Sequence, residues 1–319
     1  MNGVIKVEAT PQDEAARAGW LYYVGGLTQD QIAAEMGVSR QRAQRLVSRA
    51  TADGLVHVRL EHKITACLEL ETALCKRFGL RICRVAPSLP DGSDPARAFA
   101  PLAAALVEQV LARPDPQVIA FGTGRALSVM VEELTPTPAS QHKIVSLIGN
   151  IAPDGSASFY DVIMRIADKL QVPHYPMLVP VISETPAERA LFNRLKPVQS
   201  VLQLAGDADA TFVGVGQMGD DAPLFKDGFI TRAELSDLQK AGAVGEVVGG
   251  VFDAQGRYID TETTARIGSI RLEPGRAASV IGIAGGAAKL AAIRGAITGR
   301  LINGLVTDER TARALLAQD

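Results

Sequence analysis

Near the start of the chain, apolar residues recur every three or four positions and predict a group of short helices. The first spans Gln12 to Tyr23. The second begins after Thr28, whose hydroxyl can accept a backbone N–H bond, and ends at Gly37, which can adopt the left-handed conformation that closes a helix. Ser39 can cap a third helix in the same way as Thr28. The inner face of this third helix carries small or branched apolar residues: Ala43, Leu46, Val47 and Ala50.

The outer face of the third predicted helix is rich in arginine and glutamine. Such side chains recognise guanine and adenine edges in a major groove or bind phosphates. A helix, a short glycine turn and a capped Arg/Gln-rich helix are together typical of a helix-turn-helix. A solvated helical hairpin is the alternative, but it does not require the Gly-Val-Ser turn. We expect the bases to be read by Arg40, Gln41, Gln44 and Arg45. We expect the phosphates to be held with the help of Thr28, Ser39, Arg42 and Arg49.

The distribution of charge supports a nucleic-acid interface in this part of the chain. From Val38 to Lys63 there are six basic and two acidic residues, whereas the whole chain carries a net charge of −2. The remainder is therefore acidic. A local basic face attracts nucleic acid, and an acidic remainder limits non-specific binding.

Beyond Leu80 the pattern changes to short apolar strands that alternate with amphipathic helices. This alternation predicts a parallel sheet covered by helices on both faces. The fold class is therefore α/β, with an N-terminal three-helix helix-turn-helix domain (1–63) and a Rossmann-like parallel-sheet effector domain (64–319). Between them, Leu55–Leu60 alternates like a short strand and could add a small wing. Later predicted elements include strands at Lys143–Ile148, Glu246–Phe252 and Ser269–Leu272, and a helix at Ala288–Thr298.

Glycine-rich loops follow several predicted strands, and ligands of open parallel sheets bind at the carboxyl ends of strands. Gly122, Thr123, Gly124 and Arg125 offer backbone N–H groups, a hydroxyl and a cation that could hold a phosphate or a hydroxylated group. A tight turn with a solvated Arg125 is the alternative. After the next strand, Gly149 and Asn150 could hydrogen-bond a polar ligand.

The segment from Gly214 to Gly219 has the G-x-G-x-x-G spacing of a dinucleotide site. Its context does not fit, because Asp220 and Asp221 fall where the pyrophosphate would bind and Pro223 interrupts any following helix. We instead assign this loop to a sugar-like ligand, with Gln217 as a contact, and we expect no cofactor.

Two charged residues follow later strands. Asp253 could accept hydrogen bonds from paired hydroxyls, or it could close an ordinary turn before Gly256. Lys289 lies in the first turn of a predicted apolar helix, where a cation opposes the helix dipole and indicates an anionic partner nearby. A solvated lysine is the alternative. One wall of the same pocket is expected from Phe159, Tyr160 and Asp161.

Composition narrows the class of protein. The chain is 47% hydrophobic and 21% charged, as in a globular protein of two domains. Three cysteines without C-x-x-C spacing predict reduced core thiols, and four scattered histidines predict no metal site. Because no apolar run reaches the length of a membrane span and no signal core is present, we expect a cytoplasmic protein.

Several short motifs, in this order and at these separations, resemble the SorC family of bacterial sugar-responsive transcriptional regulators. The resemblance covers nearly the whole chain. Its N-terminal motifs are Tyr22-Tyr23, Thr28-Gln29, Ile32-Ala33, Ser39-Arg40, Arg45-Leu46 and Gly54-Leu55-Val56. Its C-terminal motifs are Gly122-Thr123-Gly124, Gly214-Val215-Gly216, Gly242-Ala243-Val244-Gly245, Phe252-Asp253, Gly285-Gly286, Lys289 and Leu305-Val306-Thr307-Asp308.

The resemblance implies a helix-turn-helix followed by an effector domain similar to sugar-phosphate isomerases and glucosamine-phosphate deaminases. It implies a homo-oligomer, typically a tetramer, that binds operator DNA and responds to a sugar, a polyol or a sugar phosphate. Whether the effector is phosphorylated stays open, as does the choice between repressor and activator. The family's ligand loops correspond here to Gly122, Thr123, Gly124, Arg125, Asp253 and Lys289.

The alternative to a regulator is an isomerase- or deaminase-like enzyme that acts on a sugar phosphate and carries a DNA-binding appendage. Such chemistry needs a positioned acid–base pair. The glycine loops contain no His/Glu partner set, which leaves only Asp253 and Lys289 for those roles. A DNA-packing or recombination accessory protein is a third possibility, but it leaves the α/β domain without a role. We therefore expect a regulator without catalytic residues.

Overall fold

The computed structural model describes residues 10–56, 64–157 and 162–317. The chain divides into two compact units, Met1–His62 and Lys63–Asp319. Along the described ranges, no helix is both long and apolar enough to cross a membrane.

Within residues 10–56 the chain forms three helices, α1 (Pro11–Tyr23), α2 (Gln29–Met36) and α3 (Arg40–Ala52). The hydroxyls of Thr10, Thr28 and Ser39 accept the N–H groups that each helix leaves unpaired at its start. Gly37, at a φ of 65°, ends α2. The predicted helix-turn-helix is therefore confirmed. Its buried core consists of Ala15, Ala18, Ile32, Ala33, Ala43, Leu46, Val47 and Ala50.

Of the predicted wing strand, the structure describes only Leu55 and Val56. Leu55 and Val56 pack against the helical core without forming a strand. The rest of the predicted strand, 57–60, lies outside the described residues, so the wing stays a prediction.

Strands and helices alternate through the second unit. Its strands are β1 (Ile82–Ala86), β2 (Val118–Phe121), β3 (Lys143–Ile151), β4 (His174–Pro180), β5 (Ala210–Gly214), β6 (Gly216–Gln217), β7 (Gly245–Val247), β8 (Gly250–Phe252), β9 (Ser279–Ile283) and β10 (Gly304–Asp308). Its helices are α4 (Thr65–Phe78), α5 (Pro95–Leu111), α6 (Arg125–Glu133), α7 (Val162–Leu170), α8 (Pro186–Phe192), α9 (Lys196–Gly206), α10 (Pro223–Lys226), α11 (Arg232–Lys240), α12 (Glu262–Ala265), α13 (Leu290–Thr298) and α14 (Glu309–Ala317).

The main sheet has seven strands in the order β1-β10-β9-β5-β2-β3-β4, and all neighbouring strands are parallel. From β2 the chain proceeds through β3 to β4 at one edge. It then returns to β5 on the opposite side of β2 and continues through β9 to β10. The strand order therefore reverses between β2 and β5, which is where open α/β sheets bind ligands.

Helices cover both faces of this sheet, as the sequence predicts. On one face, Leu74 of α4, Ala205 of α9 and Ile293 of α13 are buried in one hydrophobic cluster. On the other, Phe99 of α5 and Leu127 of α6 belong to a second buried cluster. Strands buried on both faces explain the near-continuous apolar runs that the sequence shows.

Two predicted strands are wrong. Glu246–Phe252 is a hairpin of β7 and β8, because Val248 and Gly249 have φ angles of 53° and 72° and turn the chain back. Together with β6 the hairpin forms a small antiparallel sheet. Ser269–Leu272 is not a strand, because its pairing with β3 is limited to an isolated bridge between Ser269 and Ile148 and a bond from Ile270 N–H to Leu147 O at 2.9 Å.

The turn that follows β8 is locked against α13 through Gly256. This residue has a φ of 72°, and a Cβ atom added to it would overlap the backbone of Gly295 and Gly299. Gly242 also has a positive φ, 90°, but a Cβ atom there would meet nothing within 4 Å. The two glycines therefore differ in packing but share an unfavourable backbone conformation for other residues.

Replacing each of these glycines by alanine separates packing from backbone strain. We expect Gly242→Ala to destabilise the second unit by about 1 kcal/mol, which is the cost of a left-handed alanine. Gly256→Ala should cost about 2 kcal/mol more because of overlap, lowering the melting temperature by a further 4–8 °C or so. Thermal unfolding of the two variants checks this. Equal melting temperatures would show that the Gly256 contact does not constrain the fold.

Candidate functional site

A cavity of about 420 Å³ opens at the carboxyl ends of β2, β5 and β9, beside the point where the strand order reverses. Its size suits a small-molecule ligand. The loops after these three strands contribute Gly122–Ala126, Gly214–Gln217 and Gly285–Lys289 to its lining. Three of the glycine-rich segments that the sequence singles out therefore meet at one site.

The loop after β2 brings a helix start to the cavity. Gly122 continues the sheet by donating its N–H to Phe212 O at 2.9 Å. Gly124 has a φ of 116°, a conformation that favours glycine, and directly precedes α6. The buried Leu127 anchors this helix in the core. The start of α6, where the first N–H groups have no partner within the helix, therefore lies at the cavity beside Thr123.

The loop after β9 places Lys289 in the cavity wall in a different way from the prediction. Ala287–Lys289 form a 3-10 turn, and α13 starts only at Leu290, so Lys289 precedes the helix instead of lying in its first turn. The turn is held by the N–H of Gly286, which donates to Thr311 Oγ1 at 2.8 Å. Burial lowers the pKa of the Lys289 ammonium, and the nearby Glu246 carboxylate partly offsets this effect.

Glu246 is a cavity residue that sequence reasoning missed. It lies on β7, and its Oε2 accepts the N–H of Gly249 at 2.8 Å. Its Oε1 lies so close to Gly216 that a side chain at 216 would overlap it. Burial raises the pKa of the Glu246 carboxyl, against the opposing effect of the Gly249 bond and of Lys289. The sequence feature that could have indicated this residue is its position, because Glu246 is a carboxylate at the start of the otherwise apolar segment Glu246–Phe252.

Asp227 is a second carboxylate in the lining that the sequence did not indicate. It follows the short helix α10, which Pro223 starts at its first turn instead of interrupting. Burial raises the pKa of Asp227, and Arg125 acts in the opposite direction. At the same rim, Asp221 pairs with Lys226 at 3.0 Å.

The segment with dinucleotide-like spacing does contribute to the cavity, but not as a dinucleotide fingerprint. Gly216 and Gln217 form β6, which pairs antiparallel with β7. A fingerprint would need a helix directly after the turn, so the rejection of this motif agrees with the structure. Gln217 lines the cavity, and its contact with a ligand stays a prediction.

Three predicted effector residues lie outside the cavity lining. Asp253 closes its own turn: Oδ1 accepts the N–H groups of Gln255 and Arg257 at 2.9 and 3.0 Å, and Oδ2 pairs with the Arg257 guanidinium. Gly149 and Asn150 lie within β3, not after it, and only the neighbouring Ile148 reaches the cavity. Their assignment to the effector stays a prediction without support from the geometry. The expected wall from Phe159, Tyr160 and Asp161 lies outside the described residues.

The outer face of α3 is exposed, but several of its cations have acidic neighbours. Arg40 pairs with Asp30 at 3.3 Å, Arg42 with Glu14 at 2.9 Å and Arg49 with Asp53 at 3.0 Å. The Thr28 and Ser39 hydroxyls serve as helix caps. Across residues 10–56, no carboxylate lies within ion-pair distance of Arg45, whose Nε donates to Gln41 O at 3.4 Å. The exposed side chains that remain available for a groove include Gln41, Gln44 and Arg45.

The described part of the second unit offers no sign of metal or thiol chemistry. No group of three or more histidine, cysteine or acidic residues in the described ranges could hold a metal ion. Cys67, Cys75 and Cys83 are free, and burial raises the pKa of each thiol, which keeps them protonated and unreactive.

A helix-turn-helix and a ligand cavity at a strand-order reversal together define a ligand-responsive DNA-binding protein. Comparison with known protein families identifies the kind of DNA-binding protein. Residues 62–317 match the family described as "Putative sugar-binding domain", and residues 10–62 match the MarR family.

Relatives match this chain over nearly its whole length. The chain is 34% identical over 304 residues to the erythritol catabolism regulatory protein EryD of Brucella abortus (strain 2308), covering 95% of this chain and 96% of EryD. It is 32% identical over 311 residues to the transcriptional regulator LsrR of Klebsiella pneumoniae subsp. pneumoniae, covering 96% and 93%. The full-length sorbitol operon regulator SorC from Klebsiella pneumoniae superposes with a TM-score of 0.71 at 29% identity, covering 95% and 98%.

The chain therefore belongs to the SorC family of sugar-binding transcriptional regulators, as its motifs predict. It is a DNA-binding regulator with a sugar-binding effector domain. Its relatives are named as transcriptional regulators, so the enzyme alternative finds no support among them.

The raised pKa of Glu246 predicts how the stability of the ligand-free protein depends on pH. A carboxyl with a folded-state pKa above its unfolded value contributes stability that is fully present below the unfolded pKa, about 4.3 for glutamate, and is lost as pH rises through the folded pKa. In the Glu246→Gln variant the side chain at position 246 does not titrate, so the variant does not lose this stability as the pH rises. Relative to the variant, the wild-type protein should lose stability as the pH rises above the unfolded-state pKa of glutamate, about 4.3.

Unfolding of both proteins across this pH range, without ligand, provides the measurement. Asp227 and Lys289 interact electrostatically with Glu246, so Asp227→Asn in both backgrounds separates the effect of Asp227 from that of Glu246. Stability curves that run parallel would show that burial does not perturb Glu246.

Proposed function

We propose that this regulator binds its operator through α3 and that a carbohydrate in the cavity at the β2–β5 reversal controls this binding. The observation that carries the proposal is the convergence of three strand-end loops on one cavity lined by both charged and amide side chains. The lining also includes apolar side chains such as Phe99, Val215 and Phe229, and an apolar lining with a few converging polar groups is the usual form of a small-molecule site.

The proposed effector contacts are those predicted residues that line the cavity: Gly122, Thr123, Gly124, Arg125, Gln217 and Lys289. We add Glu246 and Asp227, which lie in the same lining. Backbone N–H groups, cations and an amide supply donors, and the two carboxylates supply acceptors, which is the mixture that a polyhydroxy compound requires.

The proposed target of regulation is a gene set for carbohydrate use. EryD is named for erythritol catabolism and SorC for a sorbitol operon, and both names refer to polyols. We carry this class of compound to the present chain as a proposal. As a protein that binds operator DNA, it would act in the cytoplasm.

On DNA, we propose that Arg40, Gln41, Gln44 and Arg45 read bases in a major groove. Thr28, Ser39, Arg42 and Arg49 would contribute contacts to phosphates, the arginines after exchanging their carboxylate partners for DNA. Two helix-turn-helix units are needed to bind half-sites about 34 Å apart, or a multiple of this, so the active form would be a homo-oligomer, and we propose a tetramer.

Control by the effector requires two arrangements of the protein that differ in their affinity for DNA. The carbohydrate changes the populations of these two arrangements only if it binds one of them more tightly than the other. The coupling is reciprocal, so operator DNA should change carbohydrate affinity by the same factor that carbohydrate changes DNA affinity.

Arg45→Ala tests the DNA-binding face. If Arg45 contacts a base edge, its loss should weaken operator binding by about tenfold or more, corresponding to 1–3 kcal/mol or so for a bidentate contact. Gel-shift or fluorescence-anisotropy titration with operator DNA measures the effect. Stabilisation of the protein by its carbohydrate effector should be unchanged.

Arg17→Ala is the matched control, because Arg17 is an exposed arginine of the same unit on α1. Its loss removes one positive charge without touching the proposed reading face. If both variants weaken binding equally, only overall charge matters, and α3 is not the reading helix that we propose.

A further inference from the structure

The described lining of the cavity does not carry an excess of positive charge. The described residues of the lining include four acidic and three basic side chains. Asp221 and Lys226 pair with each other at the exposed rim, 3.0 Å apart. Asp94 caps α5, where its Oδ1 accepts the N–H of Ala96 at 3.0 Å and its charge interacts with the positive end of the helix.

Two carboxylates and two cations remain to face a ligand. Glu246 interacts electrostatically with Lys289, and Asp227 interacts in the same way with Arg125. Each cation therefore shares the lining with a carboxylate that interacts with it, and Lys289 also interacts with Asp94. A phosphate ester would add a further anion to this lining, and no cation in excess compensates it there, which leaves the N–H groups at the start of α6 among its few available donors.

The placement of the carboxylates favours a ligand that donates hydrogen bonds. A carboxylate accepts but cannot donate, and each of its oxygens can accept more than one bond. Glu246 Oε2 already accepts the Gly249 N–H, and the hairpin turn holds this side chain against the cavity. A ligand hydroxyl can donate to such a group, whereas a phosphate at neutral pH carries nearly two negative charges and offers almost no donor.

From this distribution of charge we infer that the effector is an uncharged polyhydroxy compound, a short polyol or an unphosphorylated sugar, and that the cavity discriminates against its phosphate ester. The inference rests on the proposed function, in that it assigns the effector to this cavity. Glu246 and Asp227 accept hydroxyl hydrogens, while Lys289, Arg125 and the Gln217 amide donate to hydroxyl oxygens.

Calorimetric titration of the full chain tests the inference. The probes are linear polyols and aldoses of about four to six carbons, the terminal phosphate of each, and inorganic phosphate. We expect at least one uncharged compound to bind, and its phosphate ester to bind at least about tenfold more weakly. A phosphate ester that binds more tightly than its parent, or competition by inorganic phosphate, would overturn the inference.

Glu246→Gln gives a sharper test because the two ligand classes predict opposite signs. Loss of the carboxylate removes a charge-assisted acceptor, so the uncharged ligand should bind about tenfold more weakly. The same change removes a repulsion, so the phosphate ester should bind more tightly. If both affinities move in the same direction, the inference is wrong.

Asp227→Asn makes the same charge change without altering the β7–β8 hairpin, and we expect the same pair of opposite shifts. It therefore decides the question if Glu246→Gln fails to fold. Asp220→Asn is the matched control, since the Asp220 side chain is 90% exposed and outside the lining. Neither affinity should change in this control.

Failure of the inference can be told apart from failure of the proposed function. If no probe binds while the protein still binds operator DNA, the ligand class is wrong and the DNA-binding role stands. If a polyol binds with the expected discrimination but leaves operator binding unchanged, the cavity chemistry stands and the proposed control of DNA binding fails.

Discussion

The adjacency of β2 and β5 is the constraint on which the effector unit depends. These strands pair in parallel through Ile119–Phe121 and Ala210–Phe212, yet the chain leaves them toward opposite edges of the sheet. Connections that diverge in this way cannot cover the ends of both strands, so a crevice opens between their loops. The stacked rings of Phe121 and Phe212, with centroids 5.5 Å apart, fix the strands immediately below it. The cavity is therefore a consequence of topology, and its lining includes buried core residues such as Phe99 and Val215.

Polar groups in this lining are shielded from water, and this shielding shifts their pKa values. The effects of burial on Glu246 and on Lys289 oppose their ionisation, while each stabilises the charged form of the other. The charge on each residue depends on the other. A ligand that separates Glu246 from Lys289 must therefore replace the interaction that each residue loses. The β7–β8 hairpin and the Gly249 N–H limit the movement of Glu246. A ligand therefore meets acceptors and donors that are already oriented, which reduces the entropy lost on binding.

The sequence predicts those features that depend on local rules. Helix caps at Thr28 and Ser39, the turn at Gly37 and the alternation of strands and helices follow from the conformational preferences of single residues and from hydrophobic periodicity. The glycine loops after β2, β5 and β9 were found because they follow strands. The hairpin was missed because Val248 has no turn preference and adopts a positive φ only in its tertiary context. For Pro223 the sequence predicts an interrupted helix, because proline is disfavoured inside helices. Proline is also favoured in the first turn of a helix, and Pro223 occupies that position in α10.

Glu246 and Asp253 show why charged site residues are harder to predict than the fold. Both are carboxylates at the ends of the same apolar run, and nothing local distinguishes them. Long-range packing does, because the hairpin brings Glu246 to the cavity while Asp253 turns toward Arg257.

The same packing bears on the choice between regulator and enzyme. Carboxylates compensated by fixed cations stabilise a bound ligand, whereas turnover requires a group whose interactions strengthen in the transition state. The described lining offers acceptors and donors that fit the binding of a polyhydroxy ligand, which is the role that a regulator requires of it.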